Sequence, residues 1–346
     1  LRYFSLDYVK RELKKLEGVK VKQVKFLDRT FNAHKQRALE LARFINDLDV
    51  DCSFQFEVVL ETFDEELLNF FKHEAKKERF RFEVGVQSYN PLTLKAIDRK
   101  QNSEILDQKI KQMTSSGLIL HTDLIAGLPY DTYESFKASF KRLFKLKSAE
   151  IQMGTLKLLK GTPLRKEYEE KGYDFESAAP YEVKKTPWLS SEELNDIKRV
   201  AYLLNRLYNS ALMRFSLEKF DELGLDVFEI LRKAKILLEK EENIQIQHYF
   251  LAVYEMVKDL KEAKGILLRD YYRHYKERPK ALFPRKDYRH LYKELLKQGF
   301  DEHTLYEYSL IDEAYYDDKP ALELVIYNEE HTYPEIYYLD FKGKIL

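Results

Sequence analysis

One cysteine, Cys52, stands among 346 residues. That scarcity excludes an internal disulfide and any multi-cysteine metal site built from this chain alone, and it fits a reducing, cytoplasmic setting. An excess of either charge is missing too. The 59 lysines and arginines balance 59 aspartates and glutamates, so no global field draws the chain toward nucleic acid or an anionic membrane. No apolar run reaches the length of a membrane span, and no signal peptide opens the sequence. No repeat of solenoid type is present. The first residue is Leu1, and a helical pattern begins almost at once, which gives the expectation of a cut through a longer protein.

What the chain does contain suits a globular fold: 44% hydrophobic and 34% charged residues. From Ser5 to Thr162, short apolar strands alternate with amphipathic helices. Strands are expected at Val21–Leu27, Cys52–Val59, Phe80–Val86, Leu118–Ile125 and Ile151–Leu159. Helices are expected at His34–Leu48 and Glu65–Lys76, after Asn90-Pro91, from a Ser103 cap to Gly117, and behind an Asp131/Glu134 capping box. Five strands at a spacing of roughly thirty residues mean right-handed βαβ units and a parallel sheet. The alternation fits a doubly wound sheet and a barrel equally. After a stretch rich in turns, Ser190 and Glu193 form a capping box for a helix with Leu194, Ile197, Val200, Leu204 and Leu207 on one face. Helical patterns run on to Lys276. Tyr288–Leu296 reads as a short helix, and Leu322–Tyr327 with Ile336–Phe341 as a hairpin around Asn328–Thr332.

Chemistry in parallel α/β folds gathers at the carboxyl ends of the strands. Asp28 follows the first strand, Glu57 lies late in the second, Gln87 and Ser88 end the third, Asp123 is inside the fourth and Lys157 inside the fifth. Each alone reads as a cap or a solvated side chain; together, at the ends of five successive strands, they point to a shared polar site. His121 and Asp123 alternate onto one strand face without a third metal ligand signalled by spacing.

The motif Gly85-Val86-Gln87-Ser88-Tyr89-Asn90, continuing to Leu94–Arg99, together with Asp123-Leu124-Ile125-Ala126-Gly127-Leu128-Pro129, resembles the radical S-adenosylmethionine (SAM) superfamily. The branch it is similar to includes the oxygen-independent coproporphyrinogen oxidases. Val24–Phe31, Leu156–Leu164 and Pro187-Trp188-Leu189-Ser190 look like radical SAM proteins with a cobalamin-binding domain and no assigned substrate. The resemblance implies an incomplete parallel TIM-like barrel over 1–165, a linker and helical domain over 166–278, and a small α+β region over 279–346. It implies S-adenosylmethionine contacts from Glu57, Gln87, Arg99 and Asp123, with Ile125 and Gly127 flanking the adenine. Asp28 stands where many relatives carry Gly-Gly-Glu for the methionyl amino group. The implied activity is reductive cleavage of S-adenosylmethionine at a 4Fe-4S cluster to a 5′-deoxyadenosyl radical, with cobalamin as a further cofactor; nothing names the substrate.

The family's Cys-x-x-x-Cys-x-x-Cys motif is not in the chain. It is expected before Leu1, so this chain alone should neither hold the cluster nor be active, and its exposed barrel edge should favour self-association. Two other readings stand beside this one. The first is a cluster-free barrel enzyme for a phosphate-bearing metabolite, with Lys160-Gly161-Thr162 as its phosphate loop. The second is a degenerate binding module.

Overall fold

The computed structural model describes residues 3–317, 319–327 and 334–346. They form two compact units, 1–201 and 202–346. The boundaries drawn from the sequence at 165 and 278 fall within these units.

The first unit is built on five strands: β1 (Gln23–Lys25), β2 (Ser53–Val58), β3 (Phe80–Gln87), β4 (Ile119–Ala126) and β5 (Glu150–Thr155). They lie side by side in chain order, and every neighbouring pair is parallel. That order decides between the two architectures the alternation allowed. A doubly wound sheet reverses its strand order at a switch point. A sheet whose right-handed crossovers all advance in one direction carries every helix on the same face, as a barrel wall does. Burial agrees, because Phe80, Phe82, Val84 and Val86 of β3 are buried while the alternate residues are only half-buried, and β4 repeats the pattern. The helices are α1 (Leu6–Lys14), α2 (Lys35–Asp47), α3 (Glu65–Asn69), α4 (Pro91–Ala96), α5 (Ser103–Ser115) and α6 (Tyr133–Phe144). The sheet is thus an incomplete parallel barrel wall with one apolar, helix-covered face and one open face.

Several boundaries differ from expectation for local reasons. β1 spans only Gln23–Lys25, although the Phe26 N–H still reaches the Gln55 carbonyl at 2.9 Å. Among the described residues it has a strand neighbour on one side, and Leu27 beyond it is 89% exposed. β5 ends at Thr155 because the next residues leave the sheet: Leu158 N–H bonds Tyr181 and Lys157 forms an isolated antiparallel bridge with Glu182. Lys157 is therefore not a strand residue of the barrel wall. Asn102, not Ser103, caps α5, accepting from the N–H groups of Glu104 and Ile105. Thr132 caps α6, and Asp131 is instead fully buried, accepting from the Ser135 hydroxyl. The chain then passes through α7 (Pro163–Glu170), a small ribbon of β6 (Asp174–Phe175) and β7 (Val183–Lys185), and α8 (Ser191–Leu203). The Ser190–Glu193 capping box forms as expected, with the Glu193 N–H 3.2 Å from Ser190 Oγ and the Ser190 N–H 2.7 Å from Glu193 Oε2.

The second unit carries α9 (Arg214–Glu222), α10 (Val227–Leu238), α11 (Ile246–Val257), α12 (Ala263–Tyr271), α13 (Tyr292–Lys297) and α14 (Glu302–Tyr308). Its antiparallel sheet has the order β10 (Glu335–Leu339), β9 (Lys319–Ile326), β8 (Ser309–Tyr316). The expected hairpin is β9–β10, and its turn at 328–333 lies outside the described residues. β8 was not expected: Asp312 and Glu313 in its middle hide a strand from an apolar pattern. One face of this sheet packs Ile311, Leu322, Leu324 and Leu339 against Leu291, Leu295 and Leu305. Among the described residues, no helix is long and apolar enough to cross a membrane.

Candidate functional site on the open face of the parallel sheet

In a parallel pair, partnered residues share a face, so the register writes out the open face in rows. Gln55 pairs with Arg81; Glu57 with Glu83, Glu83 with His121, and His121 with Glu150; Gly85 with Asp123, and Asp123 with Gln152. Ile125 sits beside Gly154 one step further toward the carboxyl ends. A face lined with six ionisable side chains, Glu57, Arg81, Glu83, His121, Asp123 and Glu150, instead of the aliphatic layers of a filled barrel, is built to meet a polar ligand.

Gln87 ends β3 in a left-handed conformation, φ 66°, just after a register shift between Gly85 and Gln87. Such a backbone is strained for a residue with a Cβ and clusters at functional sites. Its Oε1 is buried without a hydrogen-bond partner among the described residues, as is Asp123 Oδ1. Burial, with Glu83 and Glu57 adding repulsion, raises the Asp123 carboxyl to about 7. Gly85 lies between them, and a Cβ there would collide with the Gln87 amide. The absent side chain gives Gln87 its place.

Arg99 is drawn to the same spot. Its Nη2 donates to the Gly85 carbonyl and its Nε to Gln101 Oε1 at 3.0 Å. Burial lowers its pKa, with Glu61 opposing. The fork expected to grip a carboxylate is thus engaged on main chain and Gln101, leaving Nη1 as the remaining donor. Glu57 is exposed on the next strand. Asp28 lies on the exposed loop after β1 and makes no hydrogen bond among the described residues. Gly127 adopts φ 90°, which accounts for a glycine there, and the space its Cβ would fill borders Leu156, Val183 and Thr186 at 3.5–3.7 Å.

Deeper on the same face, the ring of His121 is clamped. Its Nδ1 is 3.2 Å from Glu150 and its Nε2 3.4 Å from Arg81 Nη1. Burial, assisted by Arg81, holds His121 below its ordinary pKa against the pull of Glu150. Gln55 donates to Glu83 at 2.7 Å. Glu83 and this clamp were missed as site residues, although the period-two alternation that placed Asp123 also places them. Among the described residues, no group of three or more His, Cys, Asp or Glu is gathered as a metal site. Thr162, in the expected phosphate loop, accepts from the Arg165 N–H as the cap of α7.

Of the cofactors the resemblance implies, S-adenosylmethionine and the cluster fit this chain differently. Two buried acceptors without donors match the ribose hydroxyls and ammonium of S-adenosylmethionine. A 4Fe-4S cluster needs thiolates, and Cys52, the one cysteine, is buried at the amino end of β2, where burial raises its pKa. The cluster does not fit the residues present.

Residues 1–143 match the family described as the radical SAM superfamily, and residues 169–335 match a family of unknown function, DUF4080. An uncharacterised methyltransferase of Pyrococcus horikoshii is 26% identical over 126 residues, 36% of this chain and 27% of the relative. Among solved structures, the radical SAM methyltransferase TsrM of Kitasatospora setae, with cobalamin and a [4Fe-4S] cluster bound, is 18% identical with a TM-score of 0.44. It covers 51% of this chain and 37% of its own. Coproporphyrinogen III oxidase of Escherichia coli, a radical SAM enzyme, is 21% identical with a TM-score of 0.43, over 57% and 44%. The chain therefore spans about a quarter of the curated relative and less than half of these two solved structures.

Proposed function

Residues 1–143 of this chain belong to the radical SAM superfamily, and from that premise we propose that the open face holds S-adenosylmethionine at the carboxyl ends of β2, β3 and β4. The observation that carries this reading is the pair of buried, unpartnered acceptors, Gln87 Oε1 and Asp123 Oδ1, on adjacent strands. Asp123 accepts from the ribose hydroxyls, and Gln87, fixed by its strained backbone and by Gly85, accepts from a second cofactor donor. Glu57 takes the methionyl ammonium and Arg99 aligns the carboxylate through its free Nη1. Ile125 supplies an apolar wall.

Held there, S-adenosylmethionine would supply hydrogen-abstraction chemistry once a one-electron donor from outside this chain cleaved it to methionine and a 5′-deoxyadenosyl radical. The thiolates for the cluster must come from outside this chain, which is inactive without them. Methyl transfer with cobalamin is the finer form of the reading. The resemblance of residues 24–31, 156–164 and 187–190 supports cobalamin, and the name of the Pyrococcus relative supports methyl transfer alone.

The test is anaerobic reconstitution of the full-length protein with iron and sulfide, followed by a 5′-deoxyadenosine assay. Wild type should form the product, and Asp123→Ala and Gln87→Ala should lose at least about tenfold at subsaturating cofactor, roughly 1.4 kcal/mol, with cluster absorbance unchanged. No product from the reconstituted wild type would sink the proposal. A cob(III)alamin spectrum of the purified protein tests the finer form.

A further inference from the structure

The second unit holds a pocket of about 320 Å³ lined by four cations of one segment, Arg278, Arg285, Lys286 and Arg289, and by tyrosines that include Tyr288 and Tyr306. Asp287 is the one carboxylate in its lining. It is already spent: Arg289 closes on it with two parallel bonds, Nε to Oδ1 at 3.0 Å and Nη2 to Oδ2 at 2.6 Å. Lys286 pairs with Glu313, which also accepts from the Tyr288 hydroxyl at 3.2 Å.

Two cations remain. Arg278 is exposed and makes no ion pair among the described residues. Arg285 is mostly buried, and its Nε and Nη2 have no acceptor among the described residues. These two donors form one edge of the guanidinium, the edge that matches a carboxylate or phosphate. The nearest carboxylate, Asp312, is 3.7 Å from Nε. Asp312 also accepts from the Tyr272 hydroxyl at 2.8 Å and the Glu313 N–H at 2.9 Å, and at 3.7 Å its pairing with Arg285 is longer than a hydrogen bond. The guanidinium lies over the Tyr272 ring at 5.4 Å, which holds its plane in place. Buried donors without acceptors are rare. The neighbouring Arg289–Asp287 pair shows the geometry that an incoming oxyanion would adopt.

We propose that this pocket binds the oxyanion group of a small ligand, a phosphate or a carboxylate, gripped by the Arg285 fork with Arg278 as second charge. The site is separate from the open face of the first unit and does not rest on the reading made there.

Isothermal titration of the full chain with inorganic phosphate and, separately, malonate tests it, with ionic strength held constant by chloride. At least one should bind saturably at a single site. Arg285→Lys, which keeps the charge and loses the fork, should weaken binding at least tenfold. Arg278→Gln should weaken it about threefold, and Lys111→Gln on α5 should leave it unchanged. Binding of phosphate alone assigns a phosphate group, and binding of malonate alone a carboxylate. No saturable binding of either anion means that water alone fills the fork, and the proposal falls. It falls equally if folded Arg285→Lys binds as wild type does. Should Arg285→Lys melt below the titration temperature, Arg278→Gln decides, and unchanged affinity there overturns the site.

Discussion

Asp123 holds a proton that an ordinary aspartate would have released. Its ordinary value is 3.8 and its folded value about 7, so the folded state keeps the proton across that window while the unfolded chain loses it. Stability from this residue is therefore present below about pH 4, falls as pH rises toward 7, and is flat beyond. Asp123→Asn should melt higher than the parent at pH 8, by on the order of 2 kcal/mol, and the gap should close by pH 4; equal gaps at both pH values would remove the buried charge from the account. Arg99→Lys keeps charge but loses the bonds to Gly85 and Gln101. In the reconstituted full-length protein it should weaken S-adenosylmethionine at least about tenfold, or roughly 1.4 kcal/mol, with cluster content normal. Wild-type affinity would take Arg99 out of the site. Gln87 and Asp123 were legible in sequence because each ends a strand motif. The direction of the Arg99 fork was not, since it depends on a main-chain carbonyl fourteen positions earlier.

A helix end is held here by a side chain that sequence reads as one more surface cation. Arg79 donates through Nη1 to the carbonyls of Ile45, Asn46 and Leu48, and through Nη2 to that of Val50. These are the last carbonyls of α2 and the loop leading to β2, groups a helix leaves without internal partners. Arg79→Met, which keeps the stem, should cost about 3 kcal/mol in denaturant unfolding; a loss below about 0.5 kcal/mol would class it with ordinary surface substitutions. Gly85→Ala should do the opposite. The clash falls on the movable end of Gln87, so the melting point should change little while cofactor binding drops at least about tenfold. Strand existence and parallel pairing were legible because each apolar run is bounded by helix signals; the strand order was not, because doubly wound and barrel sheets share that alternation. Strand ends were not, because partners distant in sequence set them: Tyr181 and Glu182 draw residues 157–158 away from β5. β8 was invisible because Asp312 is buried only with the Tyr272 hydroxyl supplied from forty residues away.

Across the whole molecule, carboxylates dominate the balance of protons near neutrality. Asp123 in one unit and Glu323 in the other both titrate at about 7, each raised chiefly by burial. Histidines 121 and 274 are shifted downward, so well above about pH 6.5 they are neutral in both folded and unfolded states. The folded protein then binds more protons than the unfolded chain, and its melting temperature should fall by a few degrees between pH 6.5 and 8. A rise over that interval would contradict both buried carboxylates. Strand order has a consequence for how the chain is made. Each of β2 to β5 pairs with the strand synthesised just before it, so a ribosome delivers every strand after its template is complete. Among the described strands β1 to β5 the sheet grows from β1 toward β5, and none of β2 to β5 waits for a partner made later before it can pair. Among β2 to β5, a pause in translation exposes a single fresh ladder of unpaired main-chain groups on the growing side.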